Sequence, residues 1–540
     1  MARRSAAIPT LAALLIAASG ALVPGTADAT PSPPQLIPHP AQLTPRAGTF
    51  TLTPSTKIIL TTRNATAPAE LLAETLRPST GFRLPIADWF IGRDVNEAEL
   101  DASDINATGL GGTAVVLTGG ADPKTGPEGY QLDVTPKFVL IRANSAAGHF
   151  NAVATLRQLL PAKAEAKTRQ RGPWQIKGAS ILDHPRYHHR GAMLDVSRHF
   201  FTPAQVKRYI DQLATFKINY FHLHLSDDQG WRLEIKSWPE LTKIGGSTEV
   251  GGRTGQLFYT QQQYKDLVAH AQSRGITVIP EFDMPGHTNA AQASYAELNC
   301  DGQKRPLYTG IEVGFSSLCI NSEVTYKFVE DVVREVAAIT PGPYFHIGGD
   351  EAHSTPDADY QTFMDRALPI VKKYGKTTVG WHEFIKTTTD TAVVPQFWGT
   401  KTTNADVAAA AQRGNKVLMS PANKIYLDMK YHKDIKLGLS WAGYVEVKDA
   451  YSWNPGAYLD GVSEAGVRGV EAPLWTETLQ TSADIEYMAF PRLPVVAELG
   501  WAPASIHSWD RFAPRLAAQA PRWKVMGINY YPSTQVPWQD

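Results

Sequence analysis

Two neighbouring carboxylates, Asp350 and Glu351, follow a short apolar run in the segment PYFHIGGDEAH, residues 343–353. Gly348 and Gly349 come directly before them, and glycine permits backbone turns that other residues resist. Neighbouring residues on an extended strand point to opposite sides. Both carboxylates can therefore reach one ligand only if the backbone bends at these glycines, which predicts a site for acid/base chemistry.

The same kind of chemistry recurs wherever an apolar run ends in the second half of the chain. Eight runs end in, or are followed by, carboxylates, tryptophans or other polar residues: Asp195; Asp227 and Asp228; Asp283 and His287; Asp350 and Glu351; Trp381 and Glu383; Trp398; Tyr426 and Asp428; Trp475 and Glu477. Any single cluster is compatible with a solvated loop, but the repetition favours one shared site. Carboxylates accept hydrogen bonds from hydroxyls, and tryptophan faces stack on pyranose rings, so the set indicates glycoside hydrolysis.

The runs themselves have the length and composition of buried strands. They cover residues 191–196, 220–228, 276–284, 343–351, 377–383, 393–399, 416–421 and 467–475. Amphipathic helices lie between several of them, and two of these helices begin with capping signals at Thr202 and Thr260. Eight strands alternating with helices over roughly 330 residues predict a (β/α)8 barrel, whose active site lies at the carboxyl ends of the strands.

The region before the barrel mixes element types. We predict a strand at 49–60, a helix from Pro68 that Pro78 stops, a hairpin at 130–144 and a helix ending at Pro161. This pattern indicates a small α+β domain. The predicted organisation is a leader at 1–29, an α+β domain at 30–180 and the catalytic barrel at 181–540.

The first 29 residues have the order of a secretory signal. Arg3 and Arg4 precede an apolar stretch from about Leu11 to Leu22, and Ala27-Asp28-Ala29 supplies the small-residue cleavage pattern. A membrane anchor is the alternative, but the apolar run is too short for one. We therefore expect a secreted protein.

Charge and cysteine content limit the possible partners and the cellular compartment of the protein. Lys+Arg and Asp+Glu are equal at 52 each in 540 residues, so no electrostatic feature suggests nucleic acid or a membrane surface as a partner. The two cysteines, Cys300 and Cys319, predict one disulfide in an exported protein, with two buried free thiols as the alternative.

The adjacency of Asp350 and Glu351 also constrains the mechanism. A glycosidase normally needs two carboxyls that face one bond from opposite sides. Two neighbouring residues meet different parts of a substrate, so one can act as the acid while a nucleophile is still missing. A 2-acetamido group on the substrate can supply that nucleophile through its carbonyl oxygen, with a carboxylate near its N–H.

At these motifs the chain resembles the family 20 glycoside hydrolases, the β-N-acetylhexosaminidases. HIGGDE matches the family signature H-x-G-G-D-E in full. The resemblance continues, in order along the chain, through HHRGAMLDVSRHF, LHLSDDQGWR, EFDMPGH, GWHE, QFWG and PLWTE. It covers the barrel and the smaller domain before it.

The resemblance implies a role for each matching residue. Glu351 is the expected general acid/base, Asp350 holds the acetamido nitrogen and Tyr426 its oxygen, while His287 forms a relay to Glu351 with Asp228 or Asp227. The expected substrate-binding residues are Arg190, Trp381, Trp398, Asp428, Trp441, Trp475 and Glu477. The implied partners are β-linked N-acetylhexosamine oligosaccharides, and no metal or other cofactor is implied.

Three alternatives remain at this stage. His222 and His224 on one strand suggest a metal-dependent amidohydrolase, but they lie mid-strand and the chain has no H-E-x-x-H motif. A non-catalytic sugar-binding protein would not need the Asp-Glu pair. An endo-acting chitinase would carry D-x-x-D-x-D-x-E on its fourth strand, and that spacing is absent.

Overall fold

The computed structural model describes residues 33–88 and 113–539, so the predicted leader lies outside the described residues. The N-terminal part forms a mixed sheet of seven strands in the order β1-β7-β5-β6-β4-β2-β3, with helices α1 and α2 packed on it. The strands are β1 Gln42–Thr51, β2 Lys57–Leu60, β3 Ile86–Asp88, β4 Ala114–Thr118, β5 Tyr130–Val134, β6 Phe138–Ala143 and β7 Gln175–Asp183, and the helices are α1 Thr66–Thr80 and α2 Ala146–Leu159.

Local details of this domain differ from the sequence predictions. The single strand predicted at 49–60 is two strands, because a turn closed by the Thr56 N–H to Thr53 carbonyl bond interrupts it. Helix α1 continues through Pro78 and ends at Gly81, which adopts a φ of 72°. A proline in the last turn removes few hydrogen bonds, so the left-handed glycine ends the helix instead. The predicted hairpin is the antiparallel pair β5 and β6.

The second part is a closed barrel of eight parallel strands, and each of the eight predicted strands is present. They follow in chain order, and the last pairs with the first. The strands are β8 His189–Asp195, β9 Tyr220–His224, β12 Thr277–Glu281, β13 Tyr344–His346, β14 Thr377–Trp381, β15 Val394–Phe397, β16 Val417–Met419 and β17 Val467–Ala472; a two-stranded ribbon of β10 Ser226–Asp227 and β11 Gly230–Trp231 follows β9.

Helices surround the barrel. They are α3 Pro203–Ala214, α4 Gln261–Gln272, α5 Asn289–Ser294, α6 Glu323–Ile339, α7 Asp357–Lys373, α8 Ala405–Arg413, α9 Ala422–Ile425, α10 Val447–Tyr451, α11 Ser482–Ala489, α12 Arg492–Trp501, α13 Trp509–Ala517 and α14 Ala520–Met526. Capping boxes begin α3 at Thr202 and α4 at Thr260, as predicted. Only short helices follow strands β14 to β16. Short helices show little hydrophobic periodicity, which explains why the sequence does not mark them clearly.

Buried ion pairs join the amino-terminal end of the barrel to the seven-stranded domain. Lys217 Nζ lies 2.8 Å from Asp183 Oδ2, and Arg190 Nη2 lies 2.6 Å from Glu128 Oε2. The domain therefore contacts the end of the barrel opposite the predicted site. Among the described residues, no helix is long and apolar enough to cross a membrane.

Candidate active site

The backbone after β13 bends in the way that the two glycines predicted. Gly348 and Gly349 have φ values of 70° and 92°, and Glu351 itself has a φ of 46°. A Cβ atom at Gly348 would stand 1.9 Å from Asp283 Oδ1, so only glycine fits there. Asp283 also fixes the turn, because its Oδ1 accepts from the Gly349 N–H at 2.9 Å. The turn brings the carboxylates of Asp350 and Glu351 to the same imidazole.

That imidazole is His287, which lies in the loop after β12. Its Nε2 is 3.5 Å from Glu351 Oε2 and 3.9 Å from Asp350 Oδ2. Its Nδ1 is hydrogen-bonded to Asp227 Oδ1 at 3.1 Å. These contacts form a chain from Asp227 through His287 to Glu351.

Asp227, and not Asp228, is therefore the carboxylate that is hydrogen-bonded to His287, and the choice of Asp228 is corrected. Asp228 Oδ2 lies 3.9 Å from His287 Nδ1, while Asp228 Oδ1 accepts from the Asn289 N–H and the Ser316 hydroxyl. Both aspartates follow β9, but neighbouring side chains point in different directions. The sequence motif alone could not separate them.

The charge of His287 affects the pKa values of the two carboxyls beside it, Asp350 and Glu351. Burial disfavours the imidazolium, but the charges of Asp227 and Asp350 outweigh it and raise the pKa of His287 well above its usual value. Burial likewise raises the pKa of Glu351, but the hydrogen bond and the charge of His287 reverse this and hold that pKa below the ordinary value. The proton that His287 and Glu351 share therefore lies mainly on the histidine.

Asp350 lies deeper than Glu351. Its pKa is raised, chiefly by burial and further by the charge of Glu351. Asp283 is buried beside it, and burial together with the charge of Asp350 raises the pKa of Asp283 well above its usual value. Asp350 Oδ1 is buried and has no hydrogen-bond partner among the described residues. An unpaired buried carboxylate oxygen is costly, and it suits a ligand that brings an N–H or O–H group.

Aromatic side chains enclose the space around this carboxylate. Trp381 is fully buried at the base, its ring centroid 5.6 Å from that of Trp475. Tyr426 and Trp398 each approach Trp441 at 5.9 Å between ring centroids, and Trp441 is half exposed at the mouth. Trp398 is held by a hydrogen bond from its Nε1 to Glu383 Oε2 at 3.0 Å. The structure thus brings all four predicted tryptophans and Tyr426 together.

Asp428 and Glu477 form a second polar group at the strand ends. Asp428 Oδ2 is buried and, like Asp350 Oδ1, lacks a hydrogen-bond partner in the described part of the chain. Burial raises the pKa of Asp428, and the nearby charge of Glu477 raises it further. The sequence predicted these two carboxyls as acceptors for sugar hydroxyls, and the structure places them close to each other.

Arg198 belongs to this group, and the sequence analysis missed it. Its Nη2 lies 2.9 Å from Asp227 Oδ2, and its guanidinium stacks 4.8 Å from the ring centroid of Trp475. Asp195, at the end of β8, orients the loop by accepting from the Arg198 N–H at 3.0 Å. Its position three residues beyond the strand end, inside the motif already noted, was the available signal.

Arg190 is not in the site, so the prediction that it binds sugar hydroxyls is wrong. It is the second residue of β8 and therefore lies at the opposite end of the barrel. Its side chain is fully buried, pairs with Glu128 and donates to the Lys217 carbonyl at 2.9 Å. The motif HHRGAMLDVSRHF contains both Arg190 and Arg198, and the seven-residue strand β8 places them at opposite ends of the barrel.

Below the pocket, the barrel interior holds several histidines and glutamates that could be mistaken for a metal centre. His222, Glu281 and His346 place ligand atoms within 4.8 Å of one another. Both ring nitrogens of His222 face carboxylates, Glu281 at 2.9 Å and Glu471 at 2.8 Å. Burial opposes protonation, but these two charges raise the pKa of His222 to about 9. A protonated imidazole has no lone pair to offer a metal.

Comparison with known proteins agrees with this geometry. The model of the glycosyl hydrolase family 20 catalytic domain matches residues 187–504, and that of domain 2 of the same family matches residues 33–184. A β-N-acetylhexosaminidase of Cellulomonas fimi is 43% identical over 417 residues, which span 77% of this chain and 83% of that protein.

Solved structures of the family superpose closely on this chain. The β-N-acetylhexosaminidase of Streptomyces coelicolor A3(2) has 53% identity and a TM-score of 0.87, covering 94% of this chain and 99% of its own. A mutant β-hexosaminidase of Streptomyces plicatus in complex with its product GlcNAc has 53% identity and a TM-score of 0.86, covering 94% and 98%. The chain belongs to glycosyl hydrolase family 20. Its activity is that of a β-N-acetylhexosaminidase, a glycoside hydrolase.

Proposed function

We propose that this enzyme is secreted and removes terminal, non-reducing β-linked GlcNAc, and also GalNAc, from chitooligosaccharides or glycans, with retention of configuration and with the substrate acetamide as nucleophile. The observation that carries the mechanism is the shared approach of Asp350 and Glu351 to one imidazole, at 3.9 and 3.5 Å. Two carboxylates held by one ring are poorly placed to face a bond from opposite sides.

Asp350 and Tyr426 are suited to hold the acetamide. Asp350 Oδ1 is a buried acceptor without a partner in the described residues, and burial, followed by the charge of Asp350, raises the pKa of the Tyr426 hydroxyl. Asp350 would accept from the acetamide N–H while the Tyr426 hydroxyl donates to its carbonyl oxygen. Trp381, Trp398 and Trp475 would enclose the methyl group.

The reaction would proceed in two steps. The acetamide oxygen bonds to C1 as the bond from C1 to the leaving oxygen breaks, and Glu351 gives that oxygen its proton. The resulting oxazolinium ion carries positive charge beside the Asp350 carboxylate, which stabilises it. Glu351 then takes a proton from water as the water oxygen attacks C1 and the ring opens.

Exo-action is supported by the closed base of the pocket. Trp381 is fully buried, and its indole donates to Glu281 in the barrel interior at 2.9 Å. A sugar that enters from the mouth therefore meets a closed wall, which favours a chain end over a chain interior.

The mechanism is tested with aryl β-GlcNAc, β-GalNAc and β-glucoside compared side by side. We expect both N-acetyl substrates to react and the glucoside, which lacks the acetamide, hardly to react. Progressive fluorination of the acetyl methyl should slow turnover, and a stable thiazoline mimic should bind far more tightly than GlcNAc. Stoichiometric labelling of a site carboxylate by a 2-fluoro glycosyl fluoride would disprove the substrate-assisted mechanism.

Secretion is supported by the leader pattern in residues 1–29 and by the disulfide between Cys300 and Cys319, which was predicted and is present. Disulfides persist in oxidising compartments. Expression in a secreting host, followed by amino-terminal sequencing of the protein in the medium, tests this. A protein retained in cells with an intact amino terminus would contradict it.

A further inference from the structure

The carboxylate of Glu281 lies directly beneath the pocket and is not part of the proposed chemistry. It is the last residue of β12 and is fully buried. Nitrogen atoms from three neighbouring strands approach it: Trp381 Nε1 at 2.9 Å, His222 Nε2 at 2.9 Å, His346 Nδ1 at 3.0 Å, and His224 Nδ1 in a very short contact.

Two of these contacts lead into the active site by different routes. Trp381 forms the base of the proposed acetamide pocket, so Glu281 fixes the plane of that indole. His224 Nε2 is hydrogen-bonded to Asp227 Oδ2 at 2.8 Å, and Asp227 Oδ1 is in turn bonded to His287. The second route is thus a continuous chain of hydrogen-bonding contacts from Glu281 to the imidazole beside Glu351.

We propose that Glu281 is a positioning residue that sets both the base of the acetamide pocket and the charge of the relay behind Glu351. The inference rests on the proposed substrate-assisted function, because it assigns the two routes to binding and to proton delivery. It extends the site by one layer of residues into the barrel.

The charge route depends on His224 being a cation. Burial opposes its protonation, but the charge of Glu281 and the hydrogen bonds to Asp227 and Glu281 raise the pKa of His224 to about 10. Asp195 adds a further negative charge nearby, and His222, His346 and Asp283 are the other titratable groups that face or adjoin Glu281. His224 therefore neutralises part of the Asp227 charge.

Removing the Glu281 charge should release the His224 proton. The charge of Asp227 would then be less neutralised, which favours the imidazolium of His287 and, through its charge, the ionised form of Glu351. The pKa of Glu351 should fall, so the alkaline limb of the kcat/KM profile should move to lower pH. The indole contact can survive in a glutamine variant, because an amide oxygen still accepts from the Trp381 N–H.

Glu471 provides a matched control within the same interior. It is also fully buried, and it accepts from His189 at 2.8 Å, from His222 at 2.8 Å and from Gln396 at 3.0 Å. Among the described residues, it forms no hydrogen bond or ion pair with His224 or Trp381, so its loss should cost stability without changing the relay.

The experiment compares Glu281→Gln, Glu471→Gln and His224→Gln by thermal unfolding and by pH profiles on aryl β-GlcNAc. We expect Glu281→Gln and His224→Gln to lower kcat by about tenfold, with little change in KM, and to shift the alkaline limb to lower pH. Glu471→Gln should lose comparable stability and keep the wild-type profile. Glu281→Ala should in addition raise KM, because Trp381 loses its acceptor.

Identical pH profiles for Glu281→Gln and Glu471→Gln, or a loss of activity in proportion to stability alone, would overturn the inference. If Glu281→Gln does not fold, His224→Gln against Glu471→Gln makes the same comparison. A wild-type enzyme that hydrolysed the β-glucoside as fast as β-GlcNAc would refute the proposed mechanism. In that case, the comparison of pH profiles among the variants would still test the relay by itself.

Discussion

His287 and Glu351 face each other across 3.5 Å, from Nε2 to Oε2, and both have a left-handed backbone, with φ values of 55° and 46°. Non-glycine residues rarely adopt this conformation, which costs on the order of 1–3 kcal/mol each. Asp283 and the glycines before Asp350 hold one of these turns. The acid and its partner are therefore placed by the backbone, and their side chains need little adjustment when substrate binds.

Replacing Glu351 by glutamine should slow the enzyme in a way that depends on the leaving group. The variant cannot protonate the departing oxygen, so turnover of a poor leaving group should fall by about 10²–10⁴-fold. A nitrophenolate, which departs without protonation, should be affected much less. The measurement is kcat/KM across a series of aryl and alkyl glycosides, and an equal loss across that series would argue against Glu351 as the acid.

The relay should depend on Asp227 and not on Asp228. Asp227→Asn removes one of the anions that raise the pKa of His287, so this pKa should fall and kcat should decrease by about 10²-fold. Asp228→Asn is the matched control, since Asp228 mainly accepts from Asn289 and Ser316. We expect Asp228→Asn to lower the melting temperature and to have little effect on kcat. The reverse order of effects would restore Asp228 to the relay.

Substitutions of the two arginines in the first barrel motif should have different effects, one on catalytic efficiency and the other on stability. Arg198→Ala should lower kcat/KM by about 10²-fold, the value of a charged hydrogen bond to sugar. Arg190→Ala removes the buried guanidinium beside Glu128, which keeps only His188 and Asn219 as partners, and should reduce the free energy of unfolding by about 3–5 kcal/mol. Its folded fraction should keep the wild-type KM, and an elevated KM in Arg190→Ala would show that the arginine acts on substrate after all.

Chelation should leave activity unchanged. His222 and His224, with pKa values raised to about 9 and 10 by their carboxylate neighbours, donate from both ring nitrogens and cannot ligate a metal at neutral pH. We expect full activity after prolonged treatment with EDTA, measured on aryl β-GlcNAc. Inactivation that added Zn²⁺ reverses would bring back the metal-dependent interpretation.

The barrel was predictable from sequence because its strands are continuous apolar runs that end in polar residues. The bend at Gly348 was also predictable from local sequence, because two glycines directly precede the paired acids Asp350 and Glu351. Periodicity did not show β7, Gln175–Asp183, because Gly178 interrupts its alternation of apolar and polar residues.

Side-chain direction was the part that sequence could not supply. Asp227 and Asp228 are neighbours in one motif, and only the fold of the ribbon after β9 turns Asp227 toward His287. Arg190 and Arg198 likewise share a motif, but β8 carries them to opposite ends of the barrel. The contacts of Glu281 join strands β9, β12, β13 and β14, so no local pattern could reveal them.

The Glu128–Arg190 pair predicts how stability depends on pH. Burial raises the pKa of Glu128, but Arg190 and His188 outweigh it and lower that pKa from 4.5 to about 2. A lowered carboxyl pKa stabilises the folded state above pH 4.5, and this stabilisation is lost as the pH falls toward 2. The contribution at neutral pH is about 3 kcal/mol.

Glu128→Gln should therefore be less stable than wild type at pH 6, and the difference should shrink as the pH is lowered from about 4.5. Guanidinium unfolding of both proteins between pH 6 and pH 3 measures this difference. Glu323→Gln is the control, because Glu323 pairs with Arg366 on the surface with its side chain 81% exposed. A constant difference between wild type and Glu128→Gln over this range would mean that Glu128 contributes by packing alone and not by its charge.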